Sequence, residues 1–88
     1  MPTVRKIVLD VLKPHLPNLL EFAASVAAVG KEYRVSAEVV EMDEKTETLT
    51  LTVEGDALDF ANIQAAISGL GGSVHSIDAC VVLGDSAT

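Results

Sequence analysis

The stretch E-T-L-T-L-T-V, residues Glu47 to Val53, decides the fold. Leu49, Leu51 and Val53 alternate with Thr48, Thr50 and Thr52. A strict period of two marks a β-strand with one buried face, so the aliphatic residues turn inward and the threonines outward. Just upstream, Asp43-Glu44-Lys45-Thr46 reads as a polar turn. Before that turn, Tyr33, Val35, Ala37 and Val39 fall on one face, and Ser36, Glu38 and Val40 on the other. Residues 33–42 and 47–53 therefore predict a β-hairpin.

Helices flank the hairpin. Leu19, Leu20, Phe22, Ala23, Val26 and Ala27 recur at helical spacing. Pro17 suits the first helical position, and Gly30 suits the stop, which predicts a helix over roughly 17–29. On the other side, Leu58, Phe60, Ile63, Ala66, Ile67 and Leu70 form a second apolar stripe. Asp56 and Asp59 resemble a capping box, and Gly71-Gly72 closes this helix.

The first and last strands of the chain complete the pattern. Thr3 to Leu12, T-V-R-K-I-V-L-D-V-L, is rich in β-branched residues and precedes Pro14 and Pro17. Ser73 to Leu83 is the last strand, and residues 84–88 read as a loose tail. The order β-α-β-β-α-β, with two right-handed crossovers and one hairpin, predicts an α+β, ferredoxin-like plait. Its four-stranded antiparallel sheet has the order 4-1-3-2, with both helices on one face. The 88 residues suffice for a single domain spanning 1–88.

Composition limits the function. Six basic and thirteen acidic residues leave a net charge of −7, which a phosphate backbone or an anionic membrane would repel. Nucleic-acid and membrane partners are therefore not expected. No apolar run approaches the ~18 residues of a membrane span. The opening Met1-Pro2-Thr3 lacks the pattern of a signal peptide. Cys80 is the single cysteine, so no internal disulfide forms, which fits a reducing cytoplasm. Within A-C-V-V it reads as a buried packing residue. A domain this small buries only about 60% of its unfolded surface, and self-association is a common remedy.

The polar residues that stand out are few. Asp10 interrupts an apolar run in a central strand, where a carboxylate needs partners. With Asp78 and the threonine row it could offer oxygen ligands to a divalent cation. Otherwise it is an outward acid on a solvated or interfacial face. His15 and His75 are expected at one edge of the domain, where two imidazoles could hold a ligand or metal. Lys13-Pro14-His15 forms the first strand-to-helix connection, and Lys13 could receive an anion there, against the plainer reading of a rigid turn. Asp43, Glu44 and Glu47 read as a solvated acidic tip without the calcium-loop pattern. No CxxC, GxSxG, HExxH or phosphate-binding glycine loop occurs.

Three stretches carry a resemblance. R-K-I-V-L-D-V-L-K-P-H (Arg5 to His15), E-G-D-A-L-D-F (Glu54 to Phe60) and G-G-S-V-H-S-I-D (Gly71 to Asp78) resemble an archaeal family, domain of unknown function 211. The resemblance covers nearly the whole chain and implies a ferredoxin-like plait. It also implies a cytoplasmic protein that assembles into symmetric, ring-like homo-oligomers. Asp10, Lys13, Pro14, His15, His75, Ser76 and Asp78 match its signature. The Ala-rich first helix and the residues after Leu83 depart from it.

The expectation is a non-catalytic homo-oligomeric domain that binds an ion or small ligand near subunit boundaries. The alternatives are a ligand-free interaction adaptor and a small enzyme that uses a histidine–aspartate pair.

Overall fold

A computed structural model describes residues 2–84. Along the chain lie β1 (Thr3–Pro14), α1 (Leu19–Ala27), β2 (Arg34–Met42), β3 (Thr46–Glu54), α2 (Phe60–Gly69) and β4 (Ser73–Leu83). The strands pair antiparallel in the order β2-β3-β1-β4. This is the ferredoxin-like plait that the periodicity predicts. Residues 85–88 of the expected tail lie outside the described residues.

One face of the sheet carries the core. Ile7, Leu9 and Val11 of β1 and Leu49, Leu51 and Val53 of β3 pack against Phe22 and Val26 of α1 and Ile63 and Ile67 of α2. Val8, Asp10, Leu12 and the threonine row take the opposite, helix-free face.

The helix ends differ from the sequence reading. Asn18, not Pro17, starts α1: its side chain accepts the Glu21 N–H at 2.9 Å, and Glu21 accepts the Asn18 N–H at 3.2 Å. That reciprocal capping box holds the helix start one residue past the proline. α2 is capped by Asp59 rather than Asp56, through the Asn62 N–H at 3.1 Å. Gly71 closes α2 as expected, with φ +84° in the left-handed region and Pro14 packed beside it.

Two further features position the sites. Tyr33 joins the α1–β2 and β3–α2 connections. Its hydroxyl accepts the Asp59 N–H at 2.8 Å and donates to the Ala57 carbonyl at 3.3 Å. Gly30 lies so close beneath the Tyr33 ring that a Cβ there would collide with it. β4, in contrast, is covered by helix only near Val74, and its remaining residues are exposed. Cys80 is exposed in consequence, which corrects the expectation of a buried thiol.

Candidate functional site

Among the described residues, two groups of polar side chains stand out, one on each face of the sheet. The first grows from strand alternation. Lys13 continues the inward series Ile7, Leu9, Val11, and Glu47 begins the inward series Leu49, Leu51, Val53. The register places Lys13 opposite Glu47. Lys13 is fully buried, and Glu47 is only 8% exposed. A buried charge requires a partner and further hydrogen bonds. The Lys13 ammonium donates to Glu47 Oε1 at 3.0 Å, to the Pro14 carbonyl at 2.8 Å and to the His15 carbonyl at 3.5 Å. Its Nζ also lies 5.9 Å from the centre of the Phe22 ring, within cation–π range.

His15 extends this pair toward the hairpin tip. Its Nδ1 lies 2.9 Å from Glu47 Oε2, and its Nε2 lies 2.9 Å and 3.0 Å from the carbonyl oxygens of Asp43 and Glu44. The bond to Glu47, followed by that to the Glu44 carbonyl, raises the imidazole above its ordinary pKa. The bonds from His15 and Lys13 hold the Glu47 carboxyl below its ordinary range. Glu47 is thus buried and paired, which corrects the expectation of a solvated tip residue. It is the centre of a buried network.

The second place is a recess of about 270 Å³ on the helix-free face, lined by Asp10, Leu12, Val40, Glu41, Thr48 and His75. Two β-bulges shape it. Val39 faces Leu49 and Glu41 faces Thr48, so Val40 is the extra residue on β2. Ser76 faces Asp10 and Val74 faces Val11, so His75 is the extra residue on β4. Strict alternation counted from Val39 would turn Glu41 toward the helices, and the bulge at Val40 turns it to the helix-free face instead. Val74 packs on the core, so His75, the next residue, faces away from it and into the recess. His75 Nδ1 stands 3.9 Å from Asp10 Oδ2, too far for a hydrogen bond. Leu12 and Val40 give this acidic recess an apolar part.

The structure sorts the expected residues differently from the sequence reading. Asp10 and His75 come together. His15 and His75 do not: His15 joins the network with Lys13 and Glu47, while His75 faces the recess, and they share no hydrogen-bond partner. The Lys13 ammonium is occupied by Glu47 and two carbonyls. Asp78 accepts a hydrogen bond from Ser76 Oγ at 2.6 Å and does not line the recess beside Asp10. Asp78 itself sits at a third bulge, between Ile77 opposite Leu9 and Ala79 opposite Val8. Among the described residues, no three His, Cys, Asp or Glu side chains converge as a metal group. Glu41 and Glu47 are the residues that sequence reasoning missed. For Glu47 the signal was present, since its position continues the inward parity of Leu49, Leu51 and Val53.

Comparisons with known proteins identify a family. A family model described as DUF211, Uncharacterized ArCR, matches residues 5–87. An uncharacterized protein of Methanocaldococcus jannaschii is 43% identical over 81 residues, which is 92% of this chain and 84% of that protein. Among the described residues, no helix is long and apolar enough to cross a membrane.

Proposed function

We propose, from the premise that this chain belongs to the domain of unknown function 211 family, that it works as a non-catalytic homo-oligomeric module. In this reading it holds an ion or small cationic ligand in the Asp10–Glu41–His75 recess. One observation carries the assembly: β4 is an edge strand with bare aliphatic side chains. Ile77, Val81, Val82 and Leu83 are each at least half exposed, and residues 79–83 include no charge. A long unprotected edge of this kind is a template for pairing with another chain. Burying its apolar surface stabilises an assembly by roughly 25 cal/mol per Å². The other edge strand, β2, is guarded by Arg34, Glu38 and Glu41.

The ligand follows from charge and shape. Asp10 and Glu41 supply two carboxylates, and Thr48 supplies a neutral oxygen. Two acids suit a cation, and a neighbouring subunit would add the remaining ligands of a hard ion. Gel filtration of the wild type and Val81→Lys tests the reading. The wild type should elute as an oligomer and the variant as a folded monomer. Oligomers of unchanged size in the variant would move the interface off β4. A monomeric wild type would end the reading.

A further inference from the structure

We infer that His15 is held as an imidazolium and acts as a proton-gated clasp, which fastens the tip of the β2–β3 hairpin to the end of β1. The Asp43 and Glu44 carbonyl oxygens can only accept, so Nε2, 2.9 Å and 3.0 Å from them, must carry a proton. Glu47 is ionised against the Lys13 ammonium, so its Oε2 can also only accept, and Nδ1 at 2.9 Å must carry a proton too. Only the doubly protonated ring satisfies every neighbour. A neutral ring has one N–H for two sets of acceptors, and its lone pair would face oxygen.

The direction of release follows. A bond to a carboxylate is about twice as strong as one to a neutral carbonyl. On losing a proton the ring keeps Nδ1–H on Glu47 and turns the bare Nε2 on the hairpin carbonyls. The tip is the side that lets go. Within the tip, the remaining tie is the Asp43 N–H to the Thr46 carbonyl at 2.8 Å.

The charged groups around the ring favour its cationic form on balance. Glu47 on β3 attracts it, and Asp43 and Glu44 in the tip add negative potential. Lys13 on β1 and Lys45 in the tip oppose it, but the Lys13 charge is paired with Glu47. Glu21 at the start of α1 is engaged with Asn18. The turn from Leu70 to Val74 that leads into β4 carries no charged residue. The ring is 38% exposed, so protons reach it without unfolding. The clasp does not depend on the recess holding a ligand.

Nitrogen-15 NMR of the whole chain through a pH titration tests this directly. At about pH 6 both His15 ring nitrogens should be protonated. As the pH rises, Nε2 should lose its proton while Nδ1 keeps it. Over the same range, exchange protection of the Asp43 amide, corrected for intrinsic rate, should fall by about tenfold or more, as expected for loss of a charge-assisted bond. His15→Gln should show the low protection at every pH. An unprotonated ring nitrogen at about pH 6, or protection that ignores the titration, would overturn the inference, and both are read on the unmutated protein.

Discussion

Lys13 and Glu47 face each other from inward positions of the two central strands, in a core otherwise built of aliphatic and aromatic groups. Removing one member of such a pair leaves the other charge buried, whereas replacing both with apolar groups can be near neutral. Lys13→Met should therefore lower the urea midpoint more than the double variant Lys13→Met/Glu47→Leu. The network also sets a pH window. His15 is raised above 6.5, so its contribution to stability is complete below that value and is lost as the pH rises through the folded pKa. Glu47 is lowered below 4.5, so its contribution is complete above that value and is lost as the pH falls through the folded pKa. Both are whole between the two. The difference in urea midpoint between wild type and His15→Gln should be largest in that window and should shrink on the alkaline side. At this scale the sequence was half legible. The strangeness of Asp10 and the placement of Lys13 and His15 beside prolines could be seen. The partner is masked by its place: Glu47 shares the inward parity of Leu49, Leu51 and Val53, but it adjoins a polar turn and reads as part of it.

Elements were more legible than residues, because periodicity is a many-residue signal. Six elements occur in the expected order, and β4 has the expected bounds. The misreadings cluster where one local bond chooses between neighbouring starts. Asn18 captures the N3 amide and wins over Pro17, and Asp59 wins over Asp56. Asn18→Ala should cost about 1 kcal/mol. In a domain of this size that lowers Tm by roughly 4–8 °C, which calorimetry resolves. A bulge shifts the period of two by one residue, and where aliphatic residues stand side by side, as at Val39 and Val40, that shift leaves no mark in the apolar pattern. The bulges at Val40 and His75 nonetheless build the recess. The same limit hid Glu41 from the sequence analysis.

At the scale of the whole molecule, the layer of two helices is narrower than the sheet it covers. Helical coverage reaches β4 only near Val74, and the rest of that strand stands bare on a molecule 53 Å long and 22 Å wide. How far a helix layer extends across a sheet depends on packing between elements, which no local pattern encodes. That is why Cys80 read as buried and is exposed. The chain carries a net charge of −7, so the proposed assembly would bring like charges together. Screening weakens that repulsion over a Debye length of about 8 Å at physiological salt. Dilution into low-salt buffer should therefore favour smaller species, and sedimentation velocity would show the shift. If bare aliphatic surface on β4 is buried between copies, the protein is an oligomer in solution. Native mass spectrometry of untreated protein at moderate salt addresses it most directly. The expected mass is two or more whole copies of the 9.2 kDa chain. A single 9.2 kDa species at every concentration would contradict it.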